Sequence, residues 1–487
     1  MKNACNYIGF ILPVLLVSMI ASTGRADARY DESETKYLMF QVFVYAPSTD
    51  PNKTNVFPPS DELAKVVDNI IHSIGATGNT GHKLGFIPGP LSFNSSDAEI
   101  HRLIKESFEI ARKKNVAVAF HIDDQMFWEN RKDLINDVNN IEWINWNETL
   151  NTGRRLDWSA TPTKVAPQMC LNSAAIKKAV IERANFIGGE IKRELDELRR
   201  AHKEELFAGV IAGWETMIGH DFATNHYLGY HAMSNKGFSA ANPPKDFDGE
   251  VSKVVKEFME LWAKELAAAG VPKNKIYAHI AFTSQGLQTA DAASSFAQNI
   301  GFATPDVAFS SHYRPGFSTY PDIGTIEEIH KEINKHGNLP WISAEGTNVV
   351  PNGEPGEATM ETYLGKMFNH NAVMVNIFSF GIGGEAEKNK NLFRLATENK
   401  EALSAYRKFL NGETLIERKR PADTFSPTLF QQKIRRIQAE LPAWIQKTHE
   451  REKVEPLMQK LDGLIKQSRF QEADKIANEI LKRIDTP

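Results

Sequence analysis

Apolar runs too short for helices alternate along this chain with longer stretches whose apolar positions recur every three or four residues. Residues 37–47 (YLMFQVFVYAP), 84–93, 116–122 (VAVAFHI) and 207–211 are the first four runs, and 276–284, 307–313, 341–344 and 373–380 the next four. Their length and composition predict strands buried on both faces. Between them, spacings such as Leu63, Val66, Val67, Ile70 and Ile71 predict helices with one buried face. These helices fall after Pro59 and at 97–114, 173–201, 250–269, 326–335, 358–368 and 391–410. Strands joined by helical crossovers imply a parallel sheet. Eight such units point to a closed (β/α)₈ TIM barrel. An open doubly wound sheet is the competing architecture, but the glycine-rich phosphate loop of its nucleotide-binding versions is missing after strand one.

The alternation lapses twice, at 129–169 and 220–244, where long insertions carry Trp143, Trp146, Trp158, Tyr227 and Tyr230. Loops of that length are usually functional or disordered, and the aromatic content favours function. Beyond a Pro-containing linker at 421–427, three helical segments follow at 429–440, 453–467 and 470–484. The expected organisation is a signal at 1–28, a barrel at 29–415, and a linker with a helical appendage at 416–487.

The N-terminus reads as a secretory signal: Lys2, an apolar run over 8–21 broken by Pro13, and small residues Ala26 and Ala28 at a cleavage site near Ala28. The run is shorter than the roughly 20 residues of a spanning helix, so a periplasmic or extracellular protein without stable membrane insertion is expected. Of the two cysteines, cleavage would remove Cys5 and leave Cys170, so the mature chain would hold no intrachain disulfide. A formal net charge of -4 with no basic run argues against nucleic acid as a partner.

In a barrel, residues just past the carboxyl ends of the strands converge on one pocket. That rule selects Asp123 and Asp124 after strand three, Trp214 and Glu215 after strand four, and Ser284 after strand five. It also selects His312 and Tyr313 at the end of strand six, and Glu345 and Asn348 after strand seven. Two carboxylates in one pocket suit glycosidic-bond hydrolysis, one protonating the leaving oxygen and the other acting as nucleophile or base. Glu215 and Glu345 are the expected pair. Trp128, with the aromatics of the insertions, offers apolar surface for sugar rings. His121, Asp123 and Asp124 could also be read as part of a metal site with His220, Asp221, His226, His231 or His312, but no spacing matches a strong metal motif. No cofactor or metal is expected. Ser284 and Ser310 lack the elbow motif of a nucleophilic serine.

A glutamate after strand four and another after strand seven resemble the pattern of the clan A retaining β-glycosidases, which include the family 5 cellulase-like enzymes and the family 42 β-galactosidases. The resemblance runs over residues 37–410 and is mainly architectural. It implies that Glu215 is the acid/base, Glu345 the nucleophile and Tyr313 the residue that orients Glu345. It further implies that His121 or Asp123 binds sugar hydroxyls of an oligo- or polysaccharide substrate. Trp214 stands where most members carry Asn, and Phe378 and Phe380 where a Trp platform is usual. The alternatives are a non-catalytic carbohydrate-binding barrel and a metal-dependent hydrolase using His121 and Asp123.

Overall fold

The computed structural model describes residues 34–43, 57, 59–79, 81–156, 163–281, 305–319, 326–346, 359–381, 399–418, 427–467 and 469–485. The expected signal at 1–28, the linker at 421–426, and Trp158, Ser284 and Asn348 lie outside them, as does the side chain of Phe380.

Eight parallel strands form one sheet: β1 (Lys36–Phe43), β2 (His82–Gly89), β3 (Ala117–Ile122), β4 (Phe207–Ala212), β5 (Ile276–Tyr277), β6 (Gly316–Ser318), β7 (Trp341–Gly346) and β8 (Ala372–Gly381). β1 pairs with both β2 and β8, and successive strands follow in order on each side. The barrel closes between β5 and β6 through parallel bridges joining Tyr277 to Arg314 and Ile280 to Phe317. Four backbone hydrogen bonds make that seam: Arg314 to Ile276, Ala278 to Arg314, Ile280 to Gly316 and Ser318 to Ile280, at 2.9–3.0 Å.

Helices α1 (Ser60–Ile74), α2 (Asp97–Lys114), α3 (Ala174–Arg200), α4 (Phe247–Ala268), α5 (Ile326–Lys335), α6 (Met360–Phe368) and α7 (Lys400–Leu410) belong to the outer layer. Ser96, Ser173 and Asp246 cap α2, α3 and α4, each accepting a backbone N–H that the first turn would leave unpaired. Val67, Ile70, Phe108, Val180, Ile187, Phe258 and Trp262 belong to the apolar layer between sheet and helices. A second, smaller cluster fills the barrel itself: Tyr37, Met39, Ile87, Ala119, Ile211, Tyr277, Ile342, Ala344 and Met374. The interior is therefore a packed core, and room for chemistry is left only at its carboxyl end.

Strand six departs from expectation. Residues 307–313 open as a 3-10 helix (Pro305–Ala308), and the strand is the later Gly316–Ser318. The run imitates a strand because Val307, Ala308, Phe309 and Tyr313 are all buried, but they pack outside the sheet.

The described residues of both insertions are folded. The first carries a short helix (Lys132–Ile135) and an antiparallel ribbon (Arg154–Leu156 with Thr163–Val165), and the second a short helix (Tyr230–Asn235). A bridge from Arg154 to Asp221 ties one to the other. Among the described residues no helix is long and apolar enough to cross a membrane. At the C-terminus α8 (Pro427–Thr448), α9 (Arg451–Lys466) and α10 (Phe470–Asp485) share a separate core of Ile437, Leu441, Val454, Leu461, Ile476 and Ile480. α8 runs through Pro442, beyond the end at residue 440 that the sequence suggests.

Candidate active site

Alternation along β7 would point Ile342 and Ala344 into the barrel and Ser343 and Glu345 out of it. A bulge changes that outcome. Ser343 is in register with Phe317 and Val375, but Glu345 is in register with Ser318, and Gly346 with Ile377. Two residues of β7, Ala344 and Glu345, thus occupy one step of each neighbour. Register partners share a face, and Ser318 lies inside the barrel, so Glu345 does too. Gly346 turns outward instead, toward Thr319 and Tyr363.

Glu215 follows β4 on a turn that begins at Gly213, whose φ of 119° suits glycine. Glu215 itself has φ 48°, in the left-handed region that costs a non-glycine residue roughly 1–2 kcal/mol. The neighbouring backbone holds it there: Thr216 N donates to His279 O at 3.3 Å. Glu215 Oε1 is hydrogen-bonded to Ser318 Oγ at 2.8 Å. Ser318 thus adjoins both glutamates, through its side chain to Glu215 and through its register to Glu345. The two glutamate residues are 4% and 6% exposed, open to solvent by a sliver only.

Below them a polar layer crosses the barrel. His279 Nε2 lies 2.9 Å from Ser318 Oγ, and His279 Nδ1 lies 3.0 Å from His121 Nε2. His121 Nδ1 lies 3.1 Å from Gln41 Oε1. Asn376 Nδ2 donates to Gln41 Oε1 at 2.8 Å and to Ala344 O at 2.7 Å. Burial holds the His121 pKa down at about 3 and that of His279 well below the ordinary range. Both imidazoles are therefore neutral at physiological pH. Trp214 stacks on His121 with ring centroids 4.8 Å apart and meets Phe378 edge-on.

Asp123 and Asp124 sit at the carboxyl end of β3, as expected, and act on backbone there. Asp123 accepts N–H bonds from Gln125, Met126 and Phe127, at 2.9–3.3 Å. Asp124 accepts from Trp214 N at 3.3 Å and Thr216 Oγ at 2.7 Å, so it braces the turn that carries Glu215. Burial pushes their pKa values up to about 7 and about 6, with the Asp124 charge adding to the effect on Asp123.

Three expected site residues lie elsewhere. Tyr313 and His312 precede β6, so they stand at the opposite, amino end of the barrel; Arg314, the next residue, already bonds to Ile276 at the start of β5. Tyr313 donates its hydroxyl to Val307 O at 2.5 Å and cannot orient Glu345 from there. Trp128 is wholly buried in the outer core and donates Nε1 to Pro167 O at 3.0 Å, which leaves no face for a sugar. Among the described residues no cluster of three or more His, Cys, Asp or Glu side chains is placed to hold a metal.

Gln41, His279, Ser318, Asn376 and Arg154 join the site without having been singled out in the sequence. Arg154 is 1% exposed and feels the charges of Asp124, Asp123 and Glu215. Its Nε and Nη1 find no hydrogen-bond partner among the described residues. Buried N–H groups of that kind can be satisfied by a bound polar group.

No family model matches the chain, and no curated protein is detectably similar in sequence. Several solved structures are distantly similar. The catalytic domain of a beta-amylase from Paenibacillus polymyxa aligns with 75% of this chain and 100% of its own, at 9% identity and TM-score 0.45. A beta-1,4-mannanase from the sea hare Aplysia kurodai aligns over 78% and 95%, at 8% identity and TM-score 0.35. A D-psicose 3-epimerase aligns over 78% and 100%, at 12% identity and TM-score 0.36. At these values the likeness is distant and singles out no family.

Proposed function

We propose that this chain is a glycoside hydrolase that cleaves a β-linked oligo- or polysaccharide by a retaining mechanism. The observation that supports the reading best is Ser318, whose hydroxyl bonds to Glu215 while its backbone is in register with Glu345. Two carboxylates from different strands thereby adjoin one residue at the carboxyl end of the barrel, where such folds carry out their chemistry. Glu215 protonates the leaving oxygen and then deprotonates water. Glu345 attacks the anomeric carbon, and the sugar leaves after hydrolysis of that ester. The mechanism requires the carboxyl groups about 5–5.5 Å apart when substrate is bound. Phe378, half-buried at the same end of the barrel beside Trp214, offers apolar contact to a ring. The signal-like N-terminal sequence supports action outside the cytoplasm.

The test is release of nitrophenol from a panel of aryl α- and β-glycosides. Turnover of a β-glycoside should fall about 10²–10⁴-fold in Glu215→Gln, as for loss of a general acid. It should vanish in Glu345→Gln and return with azide in Glu345→Gly. Unchanged turnover in Glu345→Gln would overturn the assignment, and sugar binding without turnover in the wild type would favour a binding protein.

A further inference from the structure

The hydrogen-bonded chain across the barrel floor has a direction, and a backbone atom sets it. Ala344 O is a carbonyl and can only accept. It lies 2.7 Å from the Asn376 amide, so that amide must present its NH₂ group there. The same NH₂ group lies 2.8 Å from Gln41, which must then present its oxygen. Turning the Gln41 amide over would set two NH₂ groups against each other at that distance. Gln41 Oε1 therefore faces His121 Nδ1 as an acceptor, and Nδ1 carries the proton. A neutral ring has one N–H, so His121 Nε2 accepts from His279 Nδ1 across 3.0 Å. By the same count His279 Nε2 accepts from the Ser318 hydroxyl at 2.9 Å. Ser318 has then spent its one proton, and its oxygen can face Glu215 Oε1 at 2.8 Å only if the carboxyl donates.

We propose that the Ala344 carbonyl, through Asn376 and Gln41, sets the proton order of this chain so that His121 and His279 both carry hydrogen on Nδ1 and Glu215 rests as the protonated acid. Gln41 and Asn376 are positioning residues in this scheme: they touch no substrate, and act on Glu215 through two imidazoles and a hydroxyl. The role of the proton in catalysis rests on the reading of Glu215 given above, but the proton order itself does not. The burial that keeps both rings neutral supports the scheme. One contact opposes it: Gly213 O lies 3.1 Å from His121 Nε2 and would favour hydrogen there. Moving the Glu215 proton along the chain to His121 would satisfy that carbonyl, leaving a carboxylate and a buried imidazolium.

Long-range ¹⁵N–¹H correlation spectra of the full chain, labelled on histidine alone, separate these arrangements. His121→Gln and His279→Gln spectra assign the two signals. The scheme expects both rings neutral with hydrogen on Nδ1, the form that free imidazole side chains favour less. It also expects an infrared carbonyl band of a protonated carboxyl group that disappears in Glu215→Gln. Hydrogen on Nε2 of both rings, or a His121 imidazolium, overturns it. Gln41→Met removes the fixed acceptor with little change of volume; both rings should then move toward the Nε2 form, and kcat should fall at least about tenfold if Glu215 is the acid. Retention of the Nδ1 form in that variant would overturn the part given to Gln41. A protein with the expected tautomers but no glycosidase activity would keep the proton order and retire the catalytic reading.

Discussion

Ala344 decides where Glu345 points. As the extra residue of a bulge, it shares the barrel interior with the glutamate that follows it, and it leaves Gly346 to face the helices. The outward face at residue 346 has no room for a side chain. A Cβ there would sit 2.3 Å from both Thr319 Oγ and the Tyr363 hydroxyl. Those two hydroxyls bond to each other at 2.8 Å, and Thr319 bonds to Ser343 at 2.6 Å, so the cluster cannot give way without losing bonds. Gly346→Ala should therefore cost about 1–3 kcal/mol, as overpacking of a filled site does. Urea denaturation of the variant beside the wild type measures it. An unchanged midpoint would mean that the bulge relaxes freely, and the aim of Glu345 would then be loosely held.

At the scale of single elements, much of the site was legible and some of it was hidden. β1, β3, β8 and the stretch around β5 are apolar runs that each carry a wholly buried polar residue: Gln41, His121, Asn376 and His279. A polar group in a strand buried on both faces must find a partner inside the barrel. Gln41, Asn376 and His279 lie within these runs, out of reach of a rule that selects residues beyond the strand ends. β6 was hidden for another reason. Three residues (Gly316–Ser318) are too few to show a period, and the apolar run before them, 307–313, is a better strand by pattern than the strand itself. That displaced His312 and Tyr313 onto the wrong end of the barrel and concealed Ser318. The bulge in β7 leaves no mark in the sequence, because it exists only relative to its neighbours.

The insertions are also held as elements. Glu142 of the first accepts from His231 N and Ala232 N of the second, at 3.1 and 3.2 Å. Trp143 stacks on the His231 ring with centroids 4.1 Å apart. Burial pushes the Glu142 pKa up from 4.5 to about 8. Between those values the folded chain keeps a proton that the unfolded chain has lost, so stability falls as pH rises through the window. Asp123 and Asp124 contribute the same sign, but their folded values of about 7 and about 6 end their part sooner. Above pH 7 Glu142 should dominate the slope among the three. Denaturation midpoints should decline in the wild type from about pH 7 to about pH 8, above the range in which His121 and His279, held neutral by burial, act in the opposite sense. In Glu142→Gln the decline should flatten in its upper part. A wild-type midpoint that rises with pH across this range would contradict the burial assigned to Glu142.

Over the whole molecule, the eight-fold alternation was readable because each strand–helix unit repeats the same burial problem, a sheet face that a helix must cover. The three C-terminal helices were readable as helices, but their shared core of Ile437, Val454 and Ile476 could not be told in advance from a packing face for the barrel. The seam between β5 and β6 has a further consequence, in the order of events during folding. The pairings from β1 to β5 are made by the first part of the chain, and those from β6 to β8 by the last. Joining β5 to β6 completes the ring with a two-residue strand and a three-residue strand, and His279 and Ser318 face each other across that joint. So short a joint, made by four backbone hydrogen bonds, has little stability of its own and persists only once its flanking strands are in place. Refolding followed by hydrogen exchange should protect the amides of β1 to β4 before those of the seam. The proposed glycosidase activity should return last, in step with Ile280 and Ser318, since until the ring is joined Ser318 is not in place beside Glu215 and the molecule is a sheet without a site.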